Sequence, residues 1–282
     1  AGTGRAVTLT AARTGTAAVV TAFDNITDIT STGGGNMLTG ADLDSVWTID
    51  GVTGSVTAAG QSLAFAGFTS LAGGIANDSF TVTDDSAVDI TTDTAIGGTG
   101  VDSVTISAGQ TLTVTTAIVF GEGVDTLTLA NGAILTGGDV DLGVGDDIVD
   151  LGTGAQVTSN ILGGEDADSV DLGAGANVGG NVDGGAGTDT VTLGDNATVS
   201  GQVVGGTEID TLSFAGYTTA RSIVLTGVAD GFTGEEASIT GGFTGIDEVI
   251  GSGASTDVLT GLTTSNAVWT LDTANVYEEQ GT

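Results

Sequence analysis

The 282-residue chain contains no proline, no cysteine and no histidine, and its three basic residues are Arg5, Arg13 and Arg221. Each absence removes a class of protein. Without proline the chain is neither collagen nor a Pro-rich linker, despite its glycine. Without cysteine it has no disulfide and no thiolate metal site. Three arginines cannot neutralise a phosphate backbone, so no nucleic acid is expected as a partner, and an anionic membrane surface is disfavoured for the same reason. With no histidine, cysteine or lysine there is no imidazole base, thiol nucleophile or Schiff-base amine. No run of 18 apolar residues occurs, so no transmembrane segment is expected. No signal peptide opens at Ala1, so an export signal is expected to have been removed or to lie outside this stretch.

Glycine, acid and small apolar residues fill the space left. The chain has 50 Gly and 36 acids, a net charge of −33, and a hydrophobic content of 39 % supplied mostly by Ala, Val, Leu and Ile. That is too apolar and too β-branched for a disordered acidic tail. It suits a thin core of small side chains, with divalent cations as the natural counter-charges.

Internal repetition organises these residues. An Asp followed by an alternating apolar run occurs as DSVTI from Asp102, DTLTL from Asp125, DIVDL from Asp147, DSVDL from Asp168, DTVTL from Asp189 and DTLSF from Asp210, at steps of 23, 22, 21, 21 and 21 residues. A weaker copy, DSFTV, starts at Asp78. Val149/Leu151, Val170/Leu172 and Val191/Leu193 hold one register; Val157, Val178 and Val199 hold another; Ile161, Val182 and Val203 a third. The spacing of two within each run is strand periodicity, and Gly interrupts every segment that a helix would need to continue. Each phrase therefore predicts about three short strands separated by Gly/Asn corners. A unit this small cannot bury its own apolar face, but stacked copies can, with Val170 on Val191 and Val178 on Val199. The fold class expected is all-β, a parallel β-solenoid of about 21–23 residues per coil, right-handed by default. At ~4.8 Å per coil, six regular coils span ~30 Å and ~13 coils span ~60 Å.

A longer period overlies the short one. FDNITDITSTGGGNMLTGADLDSVWTID (23–50) aligns with FTGIDEVIGSGASTDVLTGLTTSNAVWTLD (243–272), placing Phe23 with Phe243, Leu38 with Leu259 and Trp47 with Trp269. AGTGRAVTLT from Ala1 likewise aligns with AGYTTARSIVLT from Ala215, placing Arg5 with Arg221. Three stretches follow: variant coils over 1–96, including the Trp47 unit; regular Gly/Asp coils over 97–214; and the start of a second module copy over 215–282, with the Trp269 unit. They are expected to form one continuous solenoid. The expected partners are copies of the chain itself, end to end or laterally, in a tandem array or a polymer, because uncapped coils expose strand edges.

Stacking places Asp102, Asp125, Asp147, Asp168, Asp189 and Asp210 in one column, with Glu122, Asp146, Glu165, Asp166 and Glu208 in the same corners. Like charges ~5 Å apart repel by ~0.8 kcal/mol in water and by ~3 kcal/mol at an effective dielectric of 20. Two readings offset this. In the first, calcium is held by oxygen ligands, with Asp102, Asp125, Asp147, Asp168, Asp189, Asp210, Asp146 and Asp166 as candidate ligands. In the second, the column is a solvated row of turns whose Asp side chains cap backbone N–H groups.

GGTGVDSVT (97–105) and GGAGTDTVT (184–192) resemble the Gly-Gly-x-Gly-x-Asp-x-apolar-x nonapeptide of calcium-binding RTX (repeats-in-toxin) proteins. FGEGVDTLT (120–128) and LGVGDDIVD (142–150) keep the second Gly, the fourth Gly and the Asp; GGEDADSVD (163–171) and GGTEIDTLS (205–213) lose the fourth Gly. The resemblance implies secretion, a parallel β-roll and calcium between Gly/Asp turns. One departure counts against its ion geometry: here a nonapeptide comes once per 21–23 residues, so the facing turn is missing. The wider layout looks like large bacterial surface proteins of the RTX-like and filamentous-haemagglutinin-like kind. That implies an extracellular or cell-surface location on a bacterium.

The leading functional expectation is a non-enzymatic extracellular structural protein, a segment of a fibre, sheath, surface layer or adhesin stalk stabilised by calcium. A β-helix enzyme acting on acidic polysaccharide needs basic residues near its acids, and the three Arg lie far from the regular coils. An ice-binding face could start from Thr126/Thr128 and Thr190/Thr192, but Ile148/Asp150 and Ser169/Asp171 interrupt it. A toxin would need a catalytic or membrane-active segment. Trp47 and Trp269 read as core plugs, with carbohydrate stacking as the alternative. Arg5 and Arg221 read as partners of nearby acids. Asn25, Asn77 and Asn196 open glycosylation-type triplets.

Overall fold

The computed structural model describes residues 6–262 apart from 12–13, 18–19, 24–25, 33–34, 94–98 and 229. Arg5, Arg13, Asn25, Gly97, Gly98 and Trp269, all singled out above, lie outside the described residues. Among the described residues every regular element is a strand. The chain opens with β1 (Ala6–Ala11), β2 (Thr14–Ala17) and β3 (Val20–Phe23), then β4 (Asp28–Thr30) and β5 (Met37–Thr39). A hairpin pair follows, β6 (Ser45–Asp50), β7 (Thr53–Ala58) and β8 (Gln61–Ala66), and then β9 (Ser70–Gly74).

Coiling starts with β10 (Asp78–Asp84), β11 (Ser86–Ala87) and β12 (Asp89–Asp93). The next coils are β13 (Ser103–Ile106) with β14 (Thr111–Glu122), and β15 (Thr126–Leu129) with β16 (Ile134–Val144). Three coils of three strands come after them: β17 (Ile148–Leu151), β18 (Gln156–Val157) and β19 (Ile161–Glu165); β20 (Ser169–Leu172), β21 (Asn177–Val178) and β22 (Val182–Ala186); β23 (Thr190–Gly194), β24 (Thr198–Val199) and β25 (Val203–Thr207). β26 (Thr211–Gly216) begins the last level. The chain then runs through β27 (Ser222–Val228), β28 (Phe232–Glu236), β29 (Ile239–Ile246), β30 (Glu248–Ile250) and β31 (Val258–Thr260).

The expected stacking is present residue for residue. Val149 pairs with Val170 and Val170 with Val191, in parallel register. Val157, Val178 and Val199 follow one another on a second face, and Ile161, Val182 and Val203 on a third. All of these side chains are buried in one continuous core. Strand alternation explains this: β17 and β20 both read exposed, buried, exposed, buried, so every second residue enters the core. Each buried Val or Leu contributes roughly 1.5–3 kcal/mol, which a lone coil could not collect because half its core surface would face water.

Close coil stacking has a backbone requirement within each third strand, near its end. Gly185 has φ +109°, and a Cβ placed on it would stand 2.3 Å from the Gly164 carbonyl oxygen of the coil below. Only glycine meets both conditions.

Before Asp78 and after β26 the chain departs from the regular coil. β6, β7 and β8 form an antiparallel meander, and β6 then pairs in parallel with β10. Trp47 plugs this part of the core: it is fully buried, stacks on Phe80 at a centroid distance of 5.1 Å, and donates its Nε1–H to Ser45 Oγ at 2.7 Å. β1, β2 and β3 form a second antiparallel meander, and β27, β28 and β29 a third with the same plan. The 21-residue phrase therefore gives way at both flanks to strands that reverse direction while still adding layers to the same sheets.

Candidate functional site

Seven Asp, not six, form the axial column. Asp78, Asp102, Asp125, Asp147, Asp168, Asp189 and Asp210 are each at most 3 % exposed. Asp78 opens β10 and each of the others stands at the corner just before a first-face strand. The side chains bond one coil to the next. The N–H of Asp78 donates to Asp102 Oδ1 at 2.7 Å, and those of Asp102, Asp125, Asp147, Asp168 and Asp189 donate to the next Asp at 2.7, 2.7, 2.9, 2.8 and 2.9 Å. Asp210 N–H donates to Asp247 Oδ2 at 3.1 Å. At the other end, Ser45 Oγ donates to Asp78 Oδ1, which ties the column to Trp47. Asp78, read as a weak copy from sequence, is thus a full member.

The second oxygens face inward. Oδ2 of Asp78, Asp147, Asp168, Asp189 and Asp210 is buried without a hydrogen-bond partner. A Cβ placed on Gly163 would stand 2.3 Å from both Asp168 Oδ2 and the Gly184 carbonyl oxygen, so these two oxygens are near neighbours against a bare glycine carbon. Gly184 holds the same position beside Asp189. Burial of these carboxyls disfavours the charged form. It pushes Asp168 and Asp78 up to about 7 and Asp147 and Asp210 up to about 6, with neighbouring acids adding to the rise and hydrogen-bond donors opposing it, backbone N–H groups in the coils and chiefly the Ser45 hydroxyl at Asp78. Asp189 is raised for the same reason. The column is therefore neither exposed nor solvated. Its Asp do cap backbone N–H groups, but those of the neighbouring coil instead of their own turn.

The eight candidate calcium ligands separate into two rows. Asp102, Asp125, Asp147, Asp168, Asp189 and Asp210 are the inner, buried row, with Oδ1 already committed to a backbone N–H. Asp146 and Asp166 stand outside it, exposed, beside Glu122, Glu165 and Glu208. Among the described residues no three Asp or Glu side chains are grouped as a metal cage. The orphaned inner oxygens have the right chemistry for a hard cation, but glycine carbon fills the space beside them. The outer acids are the ones a cation can reach, and it would need backbone carbonyls or water to complete six to eight oxygens.

The outer corner carries backbone strain where its glycine is missing. Gly145 and Gly187 have φ of +138° and +142°; the equivalent Asp166 and Glu208 sit at +76° and +77°. Left-handed backbone costs a non-glycine residue roughly 1–2 kcal/mol. Glu208→Gly should therefore raise stability by about 1 kcal/mol in denaturant melts, while a control Thr207→Gly, at an ordinary φ, should not.

Further axial ladders escaped the sequence reading. Asn160 and Asn181 N–H groups donate to Asp139 and Asn160 Oδ1 at 3.0 and 2.8 Å, and Gln202 N–H to Asn181 Oδ1 at 2.9 Å. The 21-residue spacing of Asp139, Asn160 and Asn181 was the available signal. Asn77 Oδ1 accepts the Val101 N–H at 2.8 Å, so this triplet asparagine has a structural task. Arg221 pairs with buried Glu236 and lies 4.0 Å over the Tyr217 ring, a structural partner of an acid as expected.

Comparison with protein-family models, curated proteins and solved structures returned no match. The fold and the ladders define the class by themselves: a tandem-repeat protein of the parallel β-solenoid type.

Proposed function

We propose that this chain is a segment of an extracellular structural protein, a rigid spacer in a bacterial fibre, sheath, surface layer or adhesin stalk, and not an enzyme. The observation that carries this reading is the continuous parallel pairing from β10 to β26, in which every coil is bonded to the next through backbone ladders and through the Asp column. Such an object resists bending and extension along its axis. An ice-binding face receives less support, because Thr128 is followed along the stack by Asp150 and Asp171 before Thr192.

Pulling the two ends apart in single-molecule force spectroscopy tests the spacer role. Coils should peel one after another, each releasing about 70 Å for its 21 residues. A single collapse at low force would sink the reading, as would thermal hysteresis in ice or cleavage of acidic polysaccharide by the purified chain. Surface proteolysis of intact cells tests the location.

Calcium belongs to the same proposal, acting at the outer corner acids Asp146, Asp166, Glu165 and Glu208. At pH 8, millimolar calcium should raise the melting temperature by several degrees over chelator, following mass action. Identical melts would remove calcium from the account and leave the inner hydrogen-bonded column to hold the rod together.

A further inference from the structure

We infer that the open edge formed by β3 and β4 is a docking surface for the last regular coil of another copy of this same module, and that it takes that coil in the register already used inside the chain by β29 and β30. This deepens the spacer reading and rests on it.

The argument starts from two meanders built alike. In the first, Gly15 pairs with Phe23 and Ala17 with Val20; in the third, Gly234 pairs with Phe243 and Glu236 with Ile239. β1 carries Val7 against Leu38 of β5, and β27 carries Ile223 against Leu259 of β31. β3 is thus the counterpart of β29, and β4 the counterpart of β30, with Phe23 and Phe243 standing 220 positions apart.

The two copies differ in what lies beneath them. β29 sits on the last regular coil, with Ile239 on Val199 and Phe243 on Val203; β30 sits on β26, with Glu248 on Thr211 and Val249 on Leu212. Among the described residues β3 pairs only with β2, and β4 only with β8. The copy at β29–β30 shows what fits under this structure. Transferring its register puts Val20 over a Val199, Phe23 over a Val203, Asp28 over a Thr211 and Ile29 over a Leu212.

Strand counts on the two faces agree independently. From β4 to its counterpart β30, through β8, β7, β6, β10, β13, β15, β17, β20, β23 and β26, the sheet advances eleven strands. From β3 to β29, through β2, β1, β5, β9, β12, β14, β16, β19, β22 and β25, it also advances eleven. Equal advance on opposite faces is the condition for copies to join as a straight rod without shear. At the usual strand spacing the axial repeat is about 53 Å.

The test uses a protein in which residues 1–214 precede the complete chain, so that Phe214 is followed by Ala1-Gly2 as it is by Ala215-Gly216 in the native sequence. The chain has no cysteine, so an introduced pair reports alone. Thr211→Cys in the first copy with Asp28→Cys in the second should form a disulfide under mild oxidation, since paired positions on neighbouring strands lie within disulfide reach. Thr211→Cys with Glu248→Cys in the single chain is the internal standard, and Thr190→Cys with Asp28→Cys, one coil too deep, should stay reduced. Electron microscopy should show a rod about 53 Å longer than the single chain. Failure of the standard would overturn the register itself, and with it the inference. A standard that bridges while the tandem pair does not, or two rods joined by a flexible link, would overturn the docking alone and leave the spacer role to the force measurement.

Discussion

The melting temperature of this protein should fall by 10 °C or more between pH 5 and pH 8 in the absence of divalent cations. The sign follows from the inner column. Burial holds the Asp168 and Asp78 carboxyls near 7, and Asp147 and Asp210 near 6, against 3.8 for an exposed carboxyl. Between those values the folded chain binds more protons than the unfolded chain, so stability decreases as pH rises. The contribution is whole below about pH 4 and is lost as pH climbs through 6 to 7. At 1.36 kcal/mol per unit each raised group is worth on the order of 2–4 kcal/mol, and roughly 2–4 °C accompanies each kcal/mol in a chain of this size. A flat melting profile over this range would refute the assignment of buried carboxyls. Single substitutions sharpen it. Asp168→Asn keeps an oxygen to accept the Asp147 N–H and cannot ionise, so it should be more stable than the parent by about 2 kcal/mol at pH 8 and nearly equal to it at pH 4. Asp168→Ala orphans that buried N–H, so it should lie about 1–3 kcal/mol below the Asn variant at every pH.

The second large effect is expected at a glycine inside a third strand, Gly185 of β22. Gly185→Ala places a methyl group 2.3 Å from the Gly164 carbonyl oxygen, on a backbone whose φ of +109° already excludes a side chain. The obstacle is backbone, so no rotamer change relieves it; the coils must separate or the strand must shift locally. A loss of about 4 kcal/mol or more is expected, in the range reserved for changes that break a special backbone position. Gly154→Ala is the comparison: its φ is +68° but nothing lies within 4 Å, so only the conformational cost of about 1 kcal/mol should appear. Equal losses in the two variants, measured by denaturant melts, would show that the coils are not packed this closely.

The regular coils were legible in the sequence because one rule generates them. An Asp, an alternating apolar run and a double glycine at nearly constant spacing give strand, corner and stack together, and Val170 on Val191 follows by counting. The flanking meanders were not legible as such. Leu38 aligned with Leu259, and Phe23 with Phe243, so the equivalence of the two copies could be read, but reversal of strand direction depends on pairings between segments with no fixed period. The column was placed correctly and its environment was not. Spacing and charge left two readings open, calcium held by oxygen ligands or a solvated row capping backbone N–H groups; the capping is there, but the row is buried, because the N–H it caps belongs to the neighbouring coil. Hydrogen-bond demand at a corner outweighs the preference of a carboxylate for water, and a residue count cannot register that. Asp139, Asn160 and Asn181 escaped for a related reason: asparagine in a glycine-rich loop reads as a turn until the coil beneath it is in place.

Near-identical turns carry a hazard of their own. The coils beginning at Asp147, Asp168 and Asp189 present almost the same surface to one another, so during folding any of them could settle on the wrong neighbour, one rung too high or too low, at little energetic disadvantage. The reversing strands around Trp47 fit at one level of the stack, because a direction-reversed hairpin and its indole match nothing in the uniform stretch. They act as the index mark from which the remaining rungs are counted. A rod made only of the 21-residue phrase would have no such origin, and its length would be free to vary from molecule to molecule.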